Sequence, residues 1–252
     1  MFAAASTSPL VSLFSSSSSE PLALFSVNTD PNLPSDSFAH LLDDATSQPA
    51  PPESVSLISP HPLDSERGKG RELTQTVLHL QSPTLRTTYI RCPPEREDVA
   101  DLGLGLPQLH LQVRNLGREW SFEVGVVDVM GRRGTIRCST FQKRPCLKHG
   151  ASRYPLLHLP LSFPKASSTP LTTWTTVSIH LPSLMAHFSS PAFEETEEGY
   201  SDGRLALPRG RYSHSSYIKV YATCRLRRIW FSQGAGSAAA EKPWELQLYS
   251  ED

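Results

Sequence analysis

This 252-residue sequence lacks the patterns that mark secreted, metal-binding and membrane-spanning proteins. It holds four cysteines with no Cys-x-x-Cys spacing, so neither a zinc site nor a disulfide framework is indicated. No stretch approaches the roughly 20 consecutive apolar residues that span a bilayer. A signal peptide would carry basic residues before its apolar segment, and the apolar patch at the start of this sequence has none before it. We therefore expect an intracellular, reducing environment.

Signatures of catalysis are missing as well. The nine histidines include no His-x-x-x-His pair, no nucleophile lies at a recognisable strand-to-helix elbow, and no glycine-rich loop could cradle a phosphate. We expect no enzyme activity, no catalytic residue, no cofactor and no bound metal.

A formal net charge of −1 gives the chain no overall attraction to nucleic acid or to an anionic membrane. The charges are segregated, however. Residues 110–165 contain ten Lys or Arg and three acidic residues, a local charge of +7. The near-neutral total therefore hides a basic middle.

The clearest strand pattern runs from Tyr217 to Ser232, where apolar and polar residues alternate as in a strand with one buried face. If the alternation simply continued, Arg228 would enter the core and the apolar Ile229 would face water. We therefore predict a β-bulge near Arg227-Arg228 that resets the alternation and turns the arginines outward.

Many short strands, Gly/Pro punctuation and little helical periodicity predict an all-β fold, a single antiparallel β-sandwich or jelly-roll-like domain with short helical turns. The one predicted helix is Pro182–Phe188. The predicted strands are Leu73–Leu80, Thr87–Cys92, Leu109–Arg114, Trp120–Val126, Thr135–Phe141, Leu156–Leu161, Val177–Leu181, Tyr217–Phe231 and Leu246–Tyr249.

Composition divides the chain into unequal parts. Residues 1–27 form either degenerate N-terminal strands or a disordered leader. Residues 28–70, rich in Pro, Ser, Asp and Gly, are predicted to be a disordered insertion with at most one helical turn at Phe38–Asp44. Residues 71–252 form the sandwich, with a flexible insertion at 189–216.

Cationic residues are the candidate binding residues, because the planar guanidinium of Arg pairs well with carboxylates. The ordinary alternative is a solvated polar face. Because the cations cluster on two β elements, we predict one contiguous basic patch that contacts an acidic partner. Five cations lie at one hairpin and three on a later strand: Arg132, Arg133, Arg137, Lys143 and Arg144, then Arg225, Arg227 and Arg228.

Several motifs resemble those of the cilia- and flagella-associated protein twenty family. Residues 224–232, Cys-Arg-Leu-Arg-Arg-Ile-Trp-Phe-Ser, resemble its Cys-Arg-(Ile/Val)-Arg-Arg-(Ile/Val)-Tyr-Phe-Ser signature. Residues 87–93, Thr-Thr-Tyr-Ile-Arg-Cys-Pro, resemble its Thr-Thr-Tyr-Ile-Thr-Cys-Pro. Further similar segments lie in the same order at 102–107, 120–124, 174–177 and 245–249. The resemblance therefore covers roughly residues 73–250.

The resemblance implies a non-enzymatic structural protein of the ciliary or flagellar axoneme. Members bind doublet microtubules where the two tubules join, together with neighbouring axonemal proteins, and affect cilium motility and morphology. The implied location is the cytoskeleton, in the axoneme or basal body. Two alternatives stay open: a nuclear or cytoplasmic module that binds nucleic acid or protein, and a carbohydrate-binding sandwich.

Overall fold

Short strands make up about half of the described part of the chain. The computed structural model describes residues 9–44, 46–49, 76–95, 101–149, 153–163, 174–193 and 206–234. The strands are β1 (Leu10–Ser15), β2 (Ser26–Asn28), β3 (Phe38–Asp43), β4 (Thr76–Gln81), β5 (Tyr89–Cys92), β6 (Gln108–Asn115), β7 (Ser121–Asp128), β8 (Arg133–Ser139), β9 (Cys146–Lys148), β10 (Leu156–Pro160), β11 (Trp174–His180), β12 (Tyr212–Tyr221) and β13 (Cys224–Ser232).

These strands form two sheets. The first has the order β11-β6-β13-β4-β3, and β1 pairs with the second half of β13 on the same edge as β4. The second has the order β2-β5-β12-β7-β8-β10-β9, antiparallel except between β8 and β10. Alternate residues of both sheets, such as Leu111 and Leu226 of the first and Phe122 and Ile218 of the second, share one buried cluster. The predicted all-β sandwich is confirmed.

A short helical segment packs against this core. One α-turn, α1 (Leu181–Leu184), continues into a 3₁₀ segment at Met185–Ser189, and a further 3₁₀ turn covers Pro191–Phe193. Phe188 is fully buried, and its ring lies so close to Gly134 that a Cβ there would meet it at 2.8 Å. The predicted helix at Pro182–Phe188 is confirmed.

The prediction of disorder for residues 28–70 is wrong where the structure describes them. Phe38–Asp43 is a strand, not a helical turn, and it pairs with β4 over its whole length. Ala39 and Leu41 pack against the core, which offsets the entropy of ordering this segment. The average composition of the region concealed this short amphipathic run. Residues 50–70 lie outside the described residues.

Two further predictions need correction. The run from Tyr217 to Phe231 is not one strand, because the chain leaves the second sheet at Tyr221 and enters the first at Cys224. The amide of Ala222 donates to Thr88 O, which helps to fix this crossing. The insertion predicted at 189–216 is shorter, since β12 begins at Tyr212 and pairs with β7.

The other strands predicted between Leu73 and Leu181 are present, as β4, β5, β6, β7, β8, β10 and β11. Within residues 1–27, the described part forms β1 and begins β2, so it holds strands. Sequence patterns did not predict β9. The strand predicted at Leu246–Tyr249 lies outside the described residues.

Candidate binding surfaces

The predicted bulge in β13 is confirmed. Leu226 lies opposite Val113 of β6 and Arg228 lies opposite the next residue, Gln112, which leaves Arg227 without a partner in the register. This extra residue lets Leu226 and Ile229 both face the core. The arginines of β13 point to the outer face of the first sheet.

Their predicted exposure is wrong. Arg225, Arg227 and Arg228 retain 9%, 3% and 3% of their accessible surface. The turn after β3 covers Arg225 and Arg227 through Asp44, while Arg228 donates to the hydroxyl of Ser15 in β1. The turn after β3 and strand β1 therefore cover this part of the outer face of the first sheet. The sequence patterns did not place either element there.

Asp44 is the centre of this covering contact. Its Oδ1 lies 2.9 Å from Arg225 Nη1 and 3.2 Å from Arg114 Nη1. Its Oδ2 accepts from Trp174 Nε1 at 2.7 Å and lies 3.4 Å from Arg227 Nη2. One carboxylate thus serves three guanidinium groups. We call these five residues the Asp44 cluster.

The charge of Arg227 is poorly compensated. Burial lowers the pKa of Arg227 to about 10, although Asp44 raises it, and the neighbouring guanidinium groups of Arg228 and Arg114 lower it further. Its Nε is buried and has no hydrogen-bond acceptor among the described residues. The guanidinium rests 4.1 Å from the centre of the Trp174 ring. These contacts hold the turn after β3 against the sheet.

The hairpin cations lie elsewhere. Arg132 and Arg133 pair with Asp128 and Asp101, each at 2.8 Å, and keep 32% and 28% of their side chains exposed. Arg137 pairs with Glu123. The turn before β9 carries two exposed cations that form no ion pair among the described residues, namely Lys143 and Arg144.

The two sets of cations do not form one patch. Arg137 projects from the second sheet and Arg225 from the first, and both point away from the shared core. They therefore lie on opposite faces of the sandwich, and the predicted contiguous patch is wrong. Period-2 patterns assign a face within a sheet but cannot assign a strand to a sheet.

A buried carboxylate fixes the tip of the hairpin between β7 and β8. Asp128 accepts the amides of Met130, Arg132 and Gly210, each at 2.9 Å, and the Arg132 Nε at 2.8 Å. Burial raises the pKa of Asp128, but these hydrogen bonds outweigh it, and the pKa lies below its ordinary value. The tip presents Val129 and Met130, which are 60% and 74% exposed.

A further row of charged residues crosses the outer face of the second sheet. Arg91 of β5 lies opposite Lys219 of β12, Lys219 opposite Glu123 of β7, and Glu123 opposite Arg137 of β8. We call Arg91, Lys219 and Arg137 the cation row. Tyr89, Tyr217 and Tyr221 flank it, with Lys219 Nζ 3.6 Å from the centre of the Tyr89 ring.

The described residues offer little for catalysis or metal binding. Ser139 Oγ lies 2.7 Å from His158 Nε2, but Ser139 is fully buried and out of reach of a substrate. No group of three or more metal-ligating side chains occurs in the described ranges. The sequence does contain one Gly-x-Ser-x-Gly spacing, at 199–203. It lies in an acidic and polar stretch outside the described residues.

The four cysteines are buried free thiols. Burial raises the pKa of Cys92 and of Cys138 to about 12. No helix in the described part of the chain is long and apolar enough to cross a membrane.

Comparison with known proteins identifies the domain. A sequence model of the CFA20 domain matches residues 64–198, more than half of the chain. The chain belongs to the CFA20 domain family. The match extends from before β4 to beyond the 3₁₀ turn at Pro191–Phe193, so it includes Arg91 and the hairpin cations, while β12 and β13 follow it.

Several similar proteins also match over most of their length. A Chlamydomonas reinhardtii protein named "Cilia- and flagella-associated protein 20" is 27% identical over 178 residues, 71% of this chain and 76% of its own. Proteins of the same name from Caenorhabditis briggsae and Paramecium tetraurelia are each 23% identical, over 71% of this chain and 71% and 76% of their own. The resemblance recognised from the motifs is confirmed.

The candidate binding residues predicted from the sequence of this CFA20 domain protein did not include Arg91 and Lys219. Both alternate with core residues, Arg91 between Ile90 and Cys92 and Lys219 after Ile218, so the period-2 pattern already placed them on an outer face. What the pattern lacked was the order of the strands, which makes Arg91 and Lys219 direct neighbours.

Proposed function

We propose that this CFA20 domain protein is a non-enzymatic structural component of the ciliary or flagellar axoneme, or of the basal body, that binds doublet microtubules and stabilises the tubule junction. The observation that carries the proposal is family membership, because the matched relatives are named as cilia- and flagella-associated proteins. Tubulin and neighbouring axonemal proteins are the proposed partners, and cilium motility and morphology are the affected properties.

The second sheet supplies the proposed contact surface. Lys143 and Arg144 are exposed and form no ion pair among the described residues, so both charges can reach a partner. Arg132, Arg133 and Arg137 retain about a third of their side-chain surface after pairing, at 32%, 28% and 31%. Arginine and lysine on a rigid hairpin complement an acidic protein surface.

The arginines of β13 are omitted from this contact surface. Arg225 and Arg227 are buried against Asp44, and Arg228 is buried against β1. Their exposure to a partner would require the turn after β3 to leave the sheet. We assign them to the stability of the fold.

Co-sedimentation with microtubules tests the proposal. We expect the protein to pellet with microtubules and to be released as salt rises, because exposed charges are screened beyond about 8 Å at physiological ionic strength. Replacing Lys143 and Arg144 by Gln should weaken pelleting while leaving the melting temperature unchanged, since exposed charges contribute little to stability. The matched control, Arg118→Gln with Arg153→Gln, removes the same charge from exposed loops.

Two results would contradict the proposal. One is pelleting that is absent in low salt. The other is binding to DNA or RNA without binding to microtubules, which would favour the nucleic-acid alternative.

A further inference from the structure

The cation row has an unusual arrangement of like charges. Arg91 and Lys219 lie directly opposite each other on neighbouring strands, with side chains on the same outer face. Like charges in this position destabilise a sheet. Such a pair needs either a nearby carboxylate or a functional reason.

The chain supplies no ion-pair partner for Lys219 within its described residues. The contacts of the ammonium group are the rings of Tyr89 and Tyr221, with Nζ 3.6 Å and 4.8 Å from their centres. Arg91 lies over the ring of Tyr217 at 4.6 Å and donates to Pro93 O at 3.2 Å. An ammonium carries three N–H donors, and those of Lys219 have no oxygen acceptor among these residues.

The nearest carboxylate in the row is already occupied. Glu123 accepts Arg137 Nε at 2.7 Å, the Tyr221 hydroxyl at 3.1 Å and the Tyr217 hydroxyl at 3.3 Å. Glu123 therefore pairs with Arg137. Burial lowers the pKa of Lys219, whereas the charges of Glu123 and of the exposed Glu95 raise it, but neither carboxylate forms an ion pair with the ammonium group. The Arg91–Lys219 end of the row keeps donors that its own neighbours do not satisfy.

We propose that Arg91 and Lys219, walled by Tyr89, Tyr217 and Tyr221, bind an acidic peptide segment of a partner protein, with a carboxylate between the two cations. The tyrosine rings give apolar surface for the methylene groups of Glu or Asp side chains, while the ammonium and guanidinium groups take the carboxylates. Neighbouring strands lie about 4.8 Å apart, so one carboxylate can reach both cations. This inference deepens the proposed function, because it locates where an acidic partner is recognised.

Binding of a fluorescent oligoglutamate peptide, followed by anisotropy, tests the site. Arg91→Gln with Lys219→Gln should weaken binding by about tenfold or more, equivalent to about 1.4 kcal/mol. The matched control is Arg118→Gln with Arg153→Gln. In the parent protein, Arg153 lies over a tyrosine ring, as Arg91 and Lys219 do. This control should bind within about twofold of the parent, because it loses charge but not the site. Equal affinity of the double variant and the parent would overturn the inference.

Two further measurements test the site if the double variant folds poorly. Lys219→Met keeps the aliphatic stem against the rings and should also lose affinity. In the unaltered protein, oligoglutamate should protect Lys219 from acetylation by an amine-reactive reagent, whereas oligoglutamine should not. Lack of protection at saturating peptide would contradict the site directly.

The test is independent of the proposed function. The peptide assay contains no tubulin, so failure of the parent protein to pellet with microtubules would contradict the proposed function alone. Unchanged peptide binding by the Arg91 and Lys219 variants would contradict this inference alone.

Discussion

The Asp44 cluster gives the sharpest stability prediction, which concerns Asp44→Asn. Asn keeps the size of the side chain and an oxygen for Trp174 Nε1, but it removes the one carboxylate that faces three guanidinium groups. The side chains of Asp44, Arg225 and Arg227 are 9%, 10% and 4% exposed. Breaking a buried ion pair by removing one partner costs about 3–5 kcal/mol, because the remaining charge is left uncompensated.

The effect should be large enough to measure without ambiguity. Each kcal/mol lowers the melting temperature of a chain of this size by about 2–4 °C, so Asp44→Asn should lower it by roughly 6–20 °C. Urea denaturation should show the same loss in the free energy of unfolding.

A second substitution in the same cluster should behave differently. Arg227→Met removes a buried cation whose Nε has no acceptor among the described residues and whose pKa is already lowered. It loses the contacts with Asp44 and Trp174, but it relieves repulsion from Arg114 and Arg228, and Met fills much of the space. We expect a change within about 1 kcal/mol, because Asp44 keeps Arg225 and Arg114 as partners and no buried charge is left uncompensated. If Arg227→Met costs as much as Asp44→Asn, the charge imbalance is not the cause.

Two further predictions concern the core and the hairpin. Leu226→Ala should lower the free energy of unfolding by about 2–5 kcal/mol through a core cavity, because Leu226 is fully buried. The control Val27→Ala truncates a residue that is 44% exposed and should change the free energy of unfolding by less than about 0.5 kcal/mol. Urea denaturation measures both changes. The folded-state pKa of Asp128 is lowered, so its stabilisation is present above its unfolded-state value and is lost as the pH falls through the folded-state value. Asp128→Asn should therefore cost most near neutral pH and progressively less in acid, as followed by thermal melts, and an equal cost at every pH would contradict this linkage.

Local sequence was sufficient to predict elements whose pattern is set by one buried face. The alternation around Cys224 and Leu226 predicted a strand, and the apolar residues after Arg228 required a bulge, which β13 contains. It was not sufficient for β3, because Ala39 and Leu41 gain their burial only from a partner strand at Leu78 and Leu80. The composition of the surrounding segment predicted the opposite.

The candidate sites show the same division. The sequence alone determined that this is an all-β member of its family, that the bulge turns the arginines away from the core, and which side chains face outward. Only the tertiary structure decided what covers each outer face. Asp44 lies 181 positions before Arg225 and buries it, while Lys219 and Arg91, also distant in sequence, meet on the other sheet and stay within reach of solvent. Alternation along a strand reports a local preference for water or core, whereas burial of an outward charge depends on contacts between distant segments, and no local pattern encodes these contacts.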